Sequence, residues 1–168
     1  RRDLGVEYLA DLRGRRIAVG PEGSGSRPVA TTLLRENGIA GSPTELVDLT
    51  GPDAAEALVA GTIDAAFFVA SPSAGYVRRL CSEERVELLS FRRAEAYTRM
   101  HRYLSSLVLP EGVIDPAAGI PPSDRRLVAP TANLVSRASL HPALVDLLLQ
   151  AATEVHGGGG LFEEPGQF

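Results

Sequence analysis

Short apolar runs that stop at glycine or proline alternate along this chain with stretches of helical period, and this alternation limits the fold more than any other feature. Arg15-Arg16-Ile17-Ala18-Val19-Gly20 reads as a buried strand. The turn-rich segment Pro21-Glu22-Gly23-Ser24-Gly25-Ser26-Arg27-Pro28 follows. A helix is then predicted, because Val29 and Leu33 share a face, as do Ala30 and Leu34. Pro28 suits its first turn and Gly38 its end. Leu46-Val47-Asp48-Leu49 predicts a second strand. The next helix starts near Gly51, turns Ala54, Ala57 and Leu58 inward and closes at Gly61. Ile63 to Val69 predicts a third strand. Ser71-Pro72-Ser73 then breaks the chain and caps a helix with Ala74, Val77, Leu80 and Cys81 inward. Val86 to Phe91 predicts a fourth strand, Ala94 to His101 a short polar helix, and Leu104 to Pro110 an extended segment. Repeated strand–helix units of this length argue for an α/β fold, a mostly parallel open sheet with helices on both faces.

The last third reads differently. Asp115 to Asp124 is a Pro/Gly/Ala-rich connection. Segments 126–130 and 132–136 predict one long strand kinked at Pro130, or two short ones. A strong helix follows His141-Pro142, with Leu144, Leu148, Ala152 and Val155 on one face. It runs out at Gly157-Gly158-Gly159-Gly160, and 161–168 is expected to be loosely held.

Composition narrows the chemistry. The 168 residues suit one domain. All 17 basic residues are Arg, so Schiff-base chemistry and lysine-dependent phosphate loops are excluded. The net charge of −4 and the scattered arginine pairs argue against a nucleic-acid partner. Cys81 is the one cysteine, which leaves no internal disulfide and no paired-cysteine zinc or redox motif. On its helix stripe it reads as an inert thiol. His101, His141 and His156 lack metal-ligand spacing, and His141 is placed to cap a helix. No apolar run is long enough to span a bilayer. No convergent acid, base and nucleophile emerge and no cofactor is implied, so binding without chemistry is the leading reading.

The candidate site is the first strand-to-helix turn. In an open parallel sheet, ligands sit at the carboxyl ends of the strands. A helix start there presents unpaired N–H groups and the positive end of the dipole. Gly23 and Gly25 permit close approach, Ser24 and Ser26 add short neutral donors, and Arg27 adds a cation, so the turn reads as a carboxylate or anion cradle. The plainer alternative is a helix cap at Ser24 or Ser26 with glycines that only make the turn. Ser71 and Ser73, after the third strand, form a second candidate on the same edge, or merely cap the next helix. Gly23 and Gly25 match two places of a dinucleotide fingerprint and Asp48 stands where a ribose-binding acid would, but Pro28 replaces the third glycine.

The segment from Gly14 to Arg27 resembles the opening of the second lobe in the TAXI family of TRAP-transporter solute receptors. Ala57-Leu58-Val59-Ala60-Gly61-Thr62-Ile63-Asp64-Ala65-Ala66-Phe67-Phe68 resembles a further segment of that family, Ser71-Pro72 the loop after it, and 131–137 with 141–152 the return strand and closing helix. The resemblance runs from about Leu12 to Val155. It implies one lobe of a type II periplasmic-binding-protein fold and an extracytoplasmic receptor that closes on a small, anionic solute and serves the membrane subunits of a TRAP transporter. Residues 1–14 would enter from a first lobe, 15–125 would form the solute-binding lobe, and 126–168 would hold the return strand, closing helix and tail. Ser24, Gly25 and Ser26, with Ser71, would line the cleft. Ile114 departs from the pattern, standing where the family often carries Tyr. An apolar patch left uncovered would invite a homodimer. An effector-sensing domain of a transcription regulator and a nucleotide-dependent α/β enzyme using Asp48 are the alternatives.

Overall fold

The computed structural model describes residues 1–166 and divides into two compact units, Arg1–Pro130 and Thr131–Phe168. In the first unit, two 3-10 turns (Arg2–Leu4 and Leu9–Leu12) lead into β1 (Arg16–Ala18), α1 (Ser26–Glu36), β2 (Glu45–Val47), α2 (Gly51–Val59), β3 (Ala65–Ala66), α3 (Gly75–Cys81), α4 (Ala94–Met100), β4 (Leu104–Leu109) and β5 (Arg125–Pro130). The second unit carries α5 (Pro142–His156).

Three strands form a parallel sheet in the order β2-β1-β3. Strand β1 is therefore central, and its side chains alternate between two cores as strand geometry requires. Ile17 and Val19 point to one face and pack with Val29, Ala30, Leu33 and Leu34 of α1. Ala18 points to the other, with Ala54, Ala55 and Leu58 of α2 and Leu80 of α3. Helices thus cover both faces, as the alternation predicts. The small Ala18 side chain lets α2 lie close to the sheet. Asp64 shapes the entry to β3: its carboxylate accepts the Arg16 amide at 2.9 Å, and its own amide donates to the Arg16 carbonyl at 2.8 Å.

The glycine stops predicted for α1 and α2 are real. Gly38 has φ 67°, its amide donates to the Arg35 carbonyl at 2.9 Å, and the Ile39 amide reaches back to Leu34 at 2.9 Å. Gly61 repeats the arrangement after α2 with φ 74°, donating to Leu58, while Thr62 donates to Ala57. These are Schellman closures, and only glycine takes that left-handed place without strain. Ile39 and Leu34 meet in the same core, completing the motif's apolar contact.

Several predicted elements differ. Residues 86–91 form no strand. The Phe91 amide donates to the Arg126 carbonyl at 2.7 Å, and Ser90 Oγ accepts the Arg126 amide at 3.0 Å, so the segment is pinned beside β5 without a ladder of its own. Val86, Leu89 and Phe91 are held by core packing instead, which explains the apolar run. The predicted third strand shrinks to Ala65–Ala66. Leu104–Leu109 pairs antiparallel with Arg125–Pro130 in a separate sheet, and 132–136 is not a strand. Ser71 and Ser73 do not cap α3, whose N-cap residue is Ala74.

In the second unit, His141 caps α5 as predicted, its Nδ1 accepting the Ala143 amide at 3.2 Å. Helix α5 buries none of its residues, and Leu144, Leu147, Leu148 and Leu149 are all exposed. The predicted loose tail falls partly on residues 167–168, outside those described.

Candidate functional site

Parallel pairing sends the loops after β1, β2 and β3 to one edge of the sheet. The chain leaves β1 for β2 on one side and returns past β1 to β3 on the other. That reversal is a topological switch point, where open α/β sheets leave a crevice at their carboxyl ends. The turn Gly20–Arg27 stands there, with the Asp48 loop on one flank and the Ser71–Ser73 loop following β3 on the other.

Two of its glycines build the turn, each in a different way. Pro21 to Ser24 closes through the Ser24 amide and the Pro21 carbonyl at 3.1 Å, with Gly23 at φ 81° in the third place, as a type II turn demands. Gly20 has φ 90°, and a β-carbon on it would collide with the hydroxyls of Ser24 and Ser26. Gly25 is the exception. Its φ of −66° is helical, and a β-carbon there would meet nothing within 4 Å. The fold makes no demand for glycine at position 25.

The start of α1 leaves donors open. Pro28 has no amide hydrogen, and the Arg27 amide reaches Ser24 Oγ at 3.4 Å, a long cap. Among the described residues, the amides of Gly25 and Ser26 have no acceptor. Ser24 Oγ and Ser26 Oγ lie 3.4 Å apart, and Ser26 is buried. The N-cap residue of α1 is Gly25; Ser24, one position before it, accepts the Arg27 amide weakly and stands beside the open donors.

Arg27 is engaged. Its Nη1 donates to the Gly20 carbonyl at 2.7 Å and to Asp48 Oδ1. Asp48 thus holds a cation rather than standing as a vacant ribose acceptor. Ser71 Oγ and Ser73 Oγ are exposed and lie 2.7 Å from each other, and the Ser73 amide donates to Ser71 Oγ at 3.2 Å. The sequence places Gly20 at the start of this turn but gives it no role, although its signal is there: a glycine ending a strand three residues before a Gly-Ser-Gly-Ser run.

The remaining chemistry is sparse. Among the described residues no group of His, Cys, Asp and Glu could hold a metal ion. Burial pushes the Cys81 thiol above its ordinary value, which keeps it protonated and inert. His101 Nε2 is 3.4 Å from Glu36 Oε1, away from the turn. A depression walled by Arg1, Arg2, Asp3, Glu84 and Arg85 with residues 58–61 lies at the opposite, amino edge of the sheet, where α2 and α3 end.

The sequence profile of the NMT1-like family matches residues 1–154, nearly the whole chain. The chain belongs to the NMT1-like family. This is a periplasmic-binding-protein-like family of binding proteins, and the parallel sheet with helices on both faces agrees with one lobe of that fold. Membership in the NMT1-like family carries the resemblance read from the sequence to the level of a solute-binding family. No helix among the described residues is long and apolar enough to cross a membrane.

Proposed function

We propose that this chain is the solute-binding lobe of an extracytoplasmic receptor of the TAXI type. It takes a small, carboxylate-bearing solute and delivers it to the membrane subunits of a TRAP transporter. Residues 15–125 form the binding lobe and 126–168 the return and closing helix. Ligand capture proceeds by lobe closure, with the solute selecting the closed state. Family membership supports the binding role.

The observation that carries the site is the pair of unanswered amides at Gly25 and Ser26, set at the switch point beside a glycine the fold does not require. A carboxylate oxygen there gains two donors and the favourable end of the α1 dipole. Gly23, Ser24 and Ser26 shape the cradle, Arg27 stands behind it, and Ser71 with Ser73 adds hydroxyls from the neighbouring loop. The test is calorimetric titration with a panel of small mono- and dicarboxylates. Ser24→Ala combined with Ser26→Ala weakens the binding carboxylate about tenfold or more, the worth of a lost hydrogen bond to a charged group. Unchanged affinity in that variant, with the fold intact, refutes the site.

A further inference from the structure

We propose that Arg27 and Asp48 are a positioning pair that sets the turn for its solute, an inference that rests on the receptor reading above. Arg27 follows Ser26 in the first turn of α1. Its Nη1 holds the Gly20 carbonyl at 2.7 Å and the Asp48 carboxylate together. One nitrogen thereby joins the end of β1, the start of α1 and the loop after β2. The Arg27 amide completes the tie by donating to Ser24 Oγ.

Two consequences follow. The Arg27 charge is already answered, so an incoming carboxylate meets a neutral pair rather than a free cation. The Gly20 carbonyl is also held fixed, and Gly20 is the residue against which the Ser24 and Ser26 hydroxyls pack. Arg27 acts on the solute through Gly20, and Asp48 acts through Arg27. The Asp48 side chain is 63% exposed, so replacing it leaves the core untouched.

The opposite arrangement, in which Arg27 grips the solute and Asp48 competes with it, makes the reverse prediction. Removing Asp48 would then free the cation, delete a repelling charge and tighten anion binding. Positioning predicts that Asp48→Ala weakens binding roughly two- to fivefold, in line with an exposed but geometrically useful pair. It also predicts that Asp48→Asn restores most of the loss, because the amide oxygen still accepts from Arg27 without the charge.

The experiment measures both variants in the full chain by calorimetry, with whichever carboxylate of the panel binds the parent protein. It also measures 15N relaxation of residues 21–26 without solute. Asp48→Ala should increase motion in the turn and Asp48→Asn should not. Tighter or unchanged binding in Asp48→Ala, or a turn equally ordered in both variants, overturns the proposal. If the parent protein binds no carboxylate, the receptor reading fails by itself, and the relaxation data still decide whether Asp48 and Arg27 order the turn.

Discussion

A β-carbon built on Gly20 would lie 2.5 Å from the Ser26 hydroxyl and 2.4 Å from that of Ser24, so a side chain at residue 20 would force both hydroxyls at the start of α1 to turn away. Gly20 also has φ 90°, outside the range of ordinary L-residues. Gly20→Ala is expected to destabilise the chain by about 1–3 kcal/mol from backbone strain, with the clash added. Thermal unfolding checks this, and a midpoint equal to the parent's counts against the packing described.

Gly25→Ala should behave oppositely. The backbone is helical and the space is open, so stability should hold within about 0.5 kcal/mol, the usual range for an unencumbered surface change. Solute binding should nevertheless fall, because a methyl group stands beside the open amides. Calorimetry and unfolding on the same sample separate the two effects. Full affinity in Gly25→Ala would mean the solute does not approach there.

Tyr97 ties α4 to the end of α1. Its hydroxyl accepts from Asn37 Nδ2 at 2.8 Å and donates to Asn37 Oδ1 at 3.1 Å, and Tyr97 is buried. Tyr97→Phe leaves Asn37 with its bond to the Leu33 carbonyl but strips the interhelix link. A loss of about 1–2 kcal/mol is expected. Chemical denaturation should show it as a lower midpoint with an unchanged slope.

Asp11 supplies an acid-sensitive contact. Its carboxylate accepts the Tyr8 amide at 2.8 Å and the Glu7 amide at 3.0 Å. Those bonds, the Tyr8 amide first, hold its pKa below the usual Asp value. A depressed folded-state pKa stabilises the protein above the ordinary value near ~3.9, and the benefit disappears as pH falls through the depressed one. Asp11→Ala should therefore be less stable than the parent at pH 7, with the gap narrowing in acid. Parallel stability curves across that window would contradict the linkage.

Legibility followed the range of the interactions involved. The face of α1, the Ala54 and Leu58 positions of α2, the glycine stops at Gly38 and Gly61, and the cap at His141 depend on neighbours a few residues apart, and all were readable, whereas Ala55 of α2 is buried where the sequence pointed to the half-buried Ala57. The turn at 20–27 was readable for the same reason. Residues 86–91 were misread because an apolar run reports burial and not pairing. Val86 and Phe91 are packed into cores while the local backbone bonds go to Arg126 and to nearby turns. The partnership of Arg27 with Asp48 spans 21 positions, and no local pattern announces it.

From the order of its residues alone, this chain was committed to alternating strands and helices and to a glycine–serine turn at the first helix start, because helical period, left-handed glycine and missing side chains are local properties. The tertiary structure decided which strands pair, that Ala18 and Ile17 serve separate cores, that Gly20 holds a left-handed backbone against two hydroxyls while Gly25 is helical and open, and that the Arg27 charge is spent on Asp48. Those outcomes depend on which distant groups are brought within bonding distance, and only the folded arrangement of β1, β2 and α1 sets those distances.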